Sequence, residues 1–261
     1  VVDDAQLLAA YNDQVRRGPA DDGPGARREV DGPVVRQVAV GGYGWSGITW
    51  SQLAGPAAAD AAIARQVSYF RELEPQFEWK LYDYDQPPDL GRRLEAAGFT
   101  PDDPEALMVA EVADQAAEVA LPDGVRLQPV TGEAGVEALI EVHGQVFGGD
   151  QSQLRNSLLG QVRNAPELMA MVLAVAGQQP VSAARINFLP GTDFAGLWGG
   201  GTLPAWRGRG IYRALLAYRA RLAAERGYHY LNLDASADSE PILRRLGFRR
   251  LARTTPYVWT G

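Results

Sequence analysis

The chain has 261 residues, 46% of them hydrophobic and 22% charged, and a formal net charge of −7. That is enough apolar material for two ordinary domains, and the acidic balance excludes nucleic acid and anionic membrane as partners of the surface as a whole. The absence of cysteine excludes disulfides, thiolate metal sites and a cysteinyl acyl intermediate, and His143 and His229 lie too far apart in sequence to announce a metal site, so none is expected.

Residues 3–16 place Leu7, Leu8, Tyr11 and Val15 at helical spacing. The stretch has no basic n-region, so it reads as a helix of the fold and not as a signal peptide, with the cytoplasm as the expected compartment. Residues 18–25 are rich in Gly, Pro and Asp and read as a loop. Residues 34–40 and 43–50 read as strands joined at Gly41-Gly42. A helix follows over 60–73, a strand over 77–84, a helix over 88–97 stopped by Gly98, and a strand over 106–112. Residues 113–123 are the expected linker. The second series has a strand at 125–130, helices at 133–146 and 151–163, and strands at 168–176, 181–189 and 194–203. It continues with a long helix at 210–226, a strand at 230–235, a short helix at 240–246 and two short strands within 248–259. Interspersed helices and hairpin-linked strands predict an α/β (α+β) class with mixed, largely antiparallel sheets flanked by helices. No apolar run approaches the roughly 18 residues of a membrane span.

The order strand, loop, helix, leucine, Gly-Phe occurs twice, ending at Gly98-Phe99 and at Gly247-Phe248. A strand follows each time, which points to an internal duplication. Residues 1–118 and 119–261 are the two expected lobes.

The chemistry concentrates in residues 197–212, LWGGGTLPAWRGRGIY. A strand runs through Gly199-Gly200-Gly201 to Pro204, then Arg207-Gly208-Arg209-Gly210 opens a helix. Free N–H groups at a helix start, the helix dipole and glycines that admit close approach all suit a pyrophosphate. Two arginines supply local positive charge in an acidic protein.

This segment resembles the signature of the GNAT acyltransferase superfamily, Arg/Gln-x-x-Gly-x-Gly/Ala after a strand end. Thr202-Leu203-Pro204 stands for the strand end, Arg207 to Gly210 fill the first four positions, and Ile211 and Tyr212 complete the segment. Tyr212 departs from the Gly or Ala usual there and is expected to crowd the turn. Leu246-Gly247-Phe248 matches the end of the family's last helix. The resemblance covers about 140 residues and implies two GNAT-like lobes in tandem. It also implies acetyl-CoA or another acyl-CoA as cosubstrate and a V-shaped split between the strands at 194–203 and 230–235. The implied reaction is direct attack of a primary amine, most simply that of a small molecule, on the thioester. A non-catalytic acyl-CoA-binding module, O-acylation and thioester hydrolysis remain as rivals, and a monomer or homodimer is expected.

The catalytic groups are less legible. The family's Glu position falls near Gly196, so Asp193 and Asp234 are the candidate bases. The position of the family's Tyr acid is Leu243, which leaves Ser236, Ser239 or Tyr257 as donors, and a CoA thiol near pKa ~8.5 leaves without much help. His143 reads as a hydrogen-bonded helix histidine. No glycine-arginine loop precedes the helix at 60–73, so the first lobe is expected to lack a CoA site. Its aromatics, Tyr43, Trp45, Trp79 and Tyr82, are candidates for an exposed wall or interface.

Overall fold

A computed structural model describes residues 2–18, 25–40, 44–73 and 76–261. Its elements in chain order are α1 (Asp4–Tyr11), extended by a π-helical turn (Asn12–Arg16), β1 (Ala26–Asp31), β2 (Val34–Ala39), β3 (Gly47–Ser51), α2 (Pro56–Arg71), β4 (Phe77–Tyr82), α3 (Leu90–Ala96), β5 (Phe99–Pro101), β6 (Glu105–Glu111) and the helical turn α4 (Val112–Gln115). The second series is β7 (Val125–Pro129), α5 (Gly132–Phe147), α6 (Ser152–Asn164), β8 (Met169–Ala176), β9 (Gln179–Phe188), β10 (Phe194–Thr202), α7 (Ile211–Glu225), β11 (Tyr230–Ala235), α8 (Glu240–Arg245) and β12 (Arg249–Trp259).

Most elements fall where periodicity and punctuation place them. Four differ. The helical turn α4 opens the segment expected as a linker. Strand β1 was not expected, because its residues ARREVD are mostly polar, and it forms an edge of the sheet with Val30 exposed. Strand β5 has only three residues. The expected pair of short strands at the C-terminus is one strand, β12, whose register shifts between Arg250 and Ala252 and whose chain continues through the shift. The turn expected at Gly41-Gly42, Tyr43, and most of the loop expected at 18–25 lie outside the described residues.

The strands form one mixed sheet in the order β1-β2-β3-β4-β12-β6-β11-β10-β9-β8-β7, with β5 paired to β12. Each half contributes one parallel pair, β3 with β4 and β10 with β11, and the remaining pairings are antiparallel. The two halves are joined edge to edge through an exchange of strands. Strand β6 precedes residue 118 yet pairs with β11 of the second lobe along its whole length. The C-terminal strand β12 pairs through Arg249–Thr254 with β6 and through Thr254–Trp259 with β4 of the first lobe.

Alternation along the strands fixes which helices cover which face. On β4, Phe77 and Trp79 join the core under α2 and α3, together with Ile63, Phe70, Leu94, Tyr257 and Trp259. On β6, Ala106, Met108 and Ala110 face α7 and α8 with Leu216, Ala220 and Leu243. The other face carries α5 and α6 over β8 and β9. There α1 spans the junction of the lobes, packing Leu7 and Tyr11 against Tyr82, Leu107, Val109 and Phe194. Trp79 and Tyr82 are thus core residues and form no exposed wall, and Trp45 is half-buried with its indole N–H donating to Glu78 at 2.9 Å. Among the described residues, no helix is long and apolar enough to cross a membrane.

A buried ion pair anchors the first lobe. Arg16 donates to both oxygens of Asp85, at 3.1 and 2.9 Å, to the Tyr84 hydroxyl at 2.9 Å and to the Thr49 carbonyl at 3.0 Å. Its guanidinium stacks 3.7 Å from the Tyr82 ring centroid. Burial opposes its charge, but Tyr82 and Asp85 outweigh that and hold its pKa above the ordinary value.

Candidate active site

Strands β10 and β11 are in register only at Phe194↔Tyr230, Ala195↔Leu231 and Gly196↔Asn232. Beyond that row both continue, but the edges that face each other no longer share ladder bonds. The cause is local. Between Trp198 and Gly201, β10 carries an extra residue relative to β9, and Gly199 adopts φ +57°. Such a bulge bends its strand and ends regular pairing. The three glycines fit because their surroundings leave no room for a side chain. A Cβ on Gly199 would lie 2.7 Å from Arg185 Nη1, and one on Gly201 would lie 2.8 Å from Val146 Cγ1. The open edges present backbone donors and acceptors that an amide-bearing ligand arm can pair with.

The outer end of this split meets the start of α7. After Pro204–Trp206, Arg207 donates through Nε to the Thr202 carbonyl at 3.0 Å, Gly208 has φ +74° and Gly210 has φ +81°. Among the described residues, the N–H groups from Gly208 to Arg213 donate to no backbone carbonyl, and no side chain caps the helix. A Cβ on Gly208 or Gly210 would meet nothing within 4 Å. This exposed cradle of free donors at the positive end of a helix fits a pyrophosphate, with Thr202, Leu203, Arg207, Gly208, Arg209, Gly210, Ile211 and Tyr212 as its frame. Tyr212 does not crowd the turn, because its ring lies back on β10, where a Cβ on Gly200 would come within 3.1 Å of it. The glycine that sequence comparison does not require makes room for the tyrosine that it does not expect.

The first lobe offers no such cradle. Helix α2 starts at Pro56, which has no N–H to give. Arg93 ties α3 to α2 through Asp60, at 2.8 and 2.9 Å, and also holds Asp89 at 2.7 Å.

On the α1 and α5 face of the sheet, polar groups gather at the split. Asn187 and Asn232 flank Gly196 in one cross-strand row. Asp234 follows Asn232 on the same face of β11, and its carboxylate pairs with Lys80 of β4, the one lysine in the chain. Glu105 of β6 shares the face of Leu107, the residue opposite Asp234. Burial weighs against the Lys80 charge, yet Asp234, Tyr11 and Glu78 raise its pKa. Burial and the nearby Asp234 push Glu105 up to about 7, against the pull of Lys80. Glu78 is raised as well, first by burial. Asn187 Oδ1, Asn232 Oδ1 and Asp234 Oδ1 are buried and have no hydrogen-bond partner among the described residues.

The structure separates the candidate catalytic residues. Asp193 precedes the paired end of β10, away from the split. Its carboxylate accepts from Gln14 at 2.9 Å and meets His229 Nδ1 at 3.1 Å, so it ties α1 to the second lobe and is no base for the split. Ser236 is exposed and engages Ser239 at 3.1 Å, just past the end of β11. Tyr257 packs in the core of the first lobe against Gly91, which removes it as an acid. Leu243 is fully buried. His143 accepts or donates through Nδ1 with Gln151 at 2.8 Å and stacks on Phe147, the hydrogen-bonded helix histidine that was expected. Asp234 is the candidate that lies on the split. Glu105 and Lys80 were missed because they belong to the first half in sequence, and only the exchange of strands brings them here.

A parallel strand pair that parts at a bulge, with a cradle of free N–H groups at the following helix start, is the arrangement that the resemblance to the GNAT superfamily implies. Residues 137–248 match the acetyltransferase (GNAT) family. The whole chain has the fold of a GCN5-related N-acetyltransferase from Kribbella flavida, with 22% identity, coverage of 98% of this chain and 95% of that one, and a TM-score of 0.69. It is also similar to a conserved protein of unknown function from Staphylococcus epidermidis, at 14% identity over 90% and 94% of the two chains with a TM-score of 0.66. A tandem GNAT protein from the clavulanic acid biosynthesis pathway aligns at 13% identity over 90% and 83%, with a TM-score of 0.60. No curated protein matches the sequence.

Proposed function

We propose that the protein transfers an acetyl or other small acyl group from acyl-CoA to a primary amine of a small molecule, using one CoA site per chain in the second lobe. The observation that carries this reading is the split between β10 and β11 leading to the free N–H groups of Gly208–Arg213. The pantetheine amides pair with the open edge of β10, and the pyrophosphate takes the cradle at α7. The first lobe, with Pro56 at its helix start and Arg93 bridging to Asp60, serves by completing the site from outside.

A free alkylamine is protonated at neutral pH, with a pKa near 10. Glu105 accepts one proton from the bound ammonium, directly or through water. Its raised pKa of about 7 places it where a general base works best. The neutral nitrogen attacks the thioester carbonyl, the N–C bond forms and the C–S bond breaks. The nitrogen's second proton goes to the departing thiolate. Products are the amide and CoA thiol, and Glu105 returns its proton to solvent. Lys80 is a positioning residue in this scheme, fixing Asp234 and moderating the negative charge of Glu78 and Glu105.

The test is to follow thiol release from acetyl-CoA and other short acyl-CoAs across a broad panel of primary amines. Amine-dependent release confirms the proposal. CoA binding by calorimetry, with no release from any amine or acyl-CoA, would instead make the domain a binding module.

A further inference from the structure

Arg16, Arg185 and Arg219 all carry guanidinium nitrogens inside the fold, and Arg16 and Arg185 are partnered differently. Arg16 has a carboxylate, a hydroxyl and a carbonyl for its N–H groups. Arg185 has no acidic partner among the described residues. Its Nη1 is buried without a hydrogen bond, and the charge that acts on it most is another cation, Arg219, whose Nη1 donates to the Arg185 carbonyl at 3.1 Å. Desolvation and Arg219 bring its pKa down to about 10, which leaves it charged at neutral pH. A buried guanidinium nitrogen without a partner is unfavourable unless a ligand supplies one.

The position of Arg185 says where that ligand lies. Its neighbours on β9, Ala184 and Ile186, face α7, so Arg185 points to the opposite face, as does its cross-strand partner Trp198. The phosphate cradle belongs to α7 and so to another part of the molecule. The Arg185 Nη1 instead reaches the bulge, where a Cβ on Gly199 would lie 2.7 Å from it and 3.4 Å from His143 Cδ2. Along the same face come Asn187, then Gly196 with no side chain, then Asn232 and Asp234. The result is an unpartnered cationic donor on β9 and three unpartnered oxygens that begin beside it and end on β11. Asp234 is almost fully buried, with a side chain 6% exposed, and Glu105 and Glu78 leave the carboxylates in excess over Lys80.

We infer that this face is the acceptor subsite and that the acceptor is a small zwitterion, a primary amine carrying a carboxylate. The carboxylate meets Arg185, and the ammonium meets Asn232 and Asp234. The inference rests on the acyl-transfer reading above and names its substrate class. Strands β9 and β11 are separated by β10, so their backbones stand roughly 10 Å apart, a span that two inward-reaching side chains and an amino acid of a few carbons can bridge. Glycine at 196 keeps the middle of that span clear.

The experiment compares matched amines that differ in the carboxylate alone, such as β-alanine with propylamine and an amino acid with its amide, each with acetyl-CoA and the intact protein. The expected result is a kcat/KM roughly tenfold or more higher for the carboxylate-bearing member of each pair. Arg185→Gln should erase that preference through the KM of the amine and leave the KM of acetyl-CoA unchanged, and Arg185→Lys should retain part of it. Amines without a carboxylate reacting as well in the wild type would overturn the inference. So would a loss in Arg185→Gln that falls on acetyl-CoA, or a wild-type preference for succinyl-CoA that the substitution removes, since the anion would then be on the acyl donor. Calorimetric binding of the same pairs to the CoA-saturated protein separates the two levels of the argument. Preference in binding without turnover removes acyl transfer and keeps the subsite, whereas turnover without preference does the reverse. If Arg185→Gln does not fold, the wild-type pairs and Arg185→Lys still decide.

Discussion

Helix α7 supplies an internally controlled test of the cofactor cradle. Gly210 precedes it with φ +81° and Gly227 follows it with φ +80°, and a Cβ at either position meets nothing within 4 Å. Replacing either by alanine forces an L-residue into left-handed backbone at about 1–2 kcal/mol, a Tm loss of roughly 2–8 °C in a chain of this size. The two variants should therefore be equally destabilised. They should differ in ligand binding, because the space beside Gly210 is where the pyrophosphate approaches the free N–H groups, while the space beside Gly227 is solvent at the negative end of the helix. Displacing an anion from one charged hydrogen bond costs about 1.5–3 kcal/mol, so Gly210→Ala should weaken CoA binding by roughly tenfold to a hundredfold and Gly227→Ala should leave it unchanged. Thermal unfolding without ligand and isothermal titration with CoA measure the two quantities separately. Equal Kd values for the two variants would refute the placement of the pyrophosphate at this helix start.

Glu105→Gln should lower kcat/KM and flatten its rise with pH through about 7, since the deprotonated carboxylate is the active form. The groups facing Glu105 are Asp234, Lys80, Glu78 and Asp102. Because the folded-state pKa is raised, the wild-type carboxyl contributes stability at pH below its unfolded value and loses it as pH rises through about 7. Glu105→Gln should accordingly gain Tm over wild type at pH 8 but not at pH 4, and the same difference at both values would exclude the burial argument. Asp85→Ala leaves Arg16 buried without its carboxylate and should cost about 3–5 kcal/mol in urea unfolding, whereas a loss below about 1 kcal/mol, the range of exposed pairs, would show that water replaces it. The fragment 119–261 lacks β6, so β11 and β12 lose their shared neighbour, and it should be aggregated or poorly structured by circular dichroism. If the chain is instead cleaved between the lobes, the two pieces should remain associated on gel filtration.

The sequence alone determined most of the elements and the glycine-arginine loop. Helical and strand periodicity, together with Gly98, Gly227 and Gly247 as stops, act over a few residues, and so does the run from Gly199 to Gly210. A motif whose donors are consecutive backbone N–H groups is written in consecutive letters. Polar edge strands such as β1 escape this reading because little of their stability is hydrophobic. Only tertiary structure decided the rest. Whether Tyr212 crowds the turn depends on Gly200, and the fate of Asp193 depends on Gln14, 179 residues away. The division into lobes was read from a local repeat, but pairing partners are long-range, and β6 and β12 each pair with a strand of the opposite half. That exchange carries Lys80 and Glu105 to Asp234 and gathers the charges of the split from both halves of the chain. No spacing in the sequence records it, because the free energy that favours it comes from closing two sheet edges against each other, a property of the folded chain as a whole.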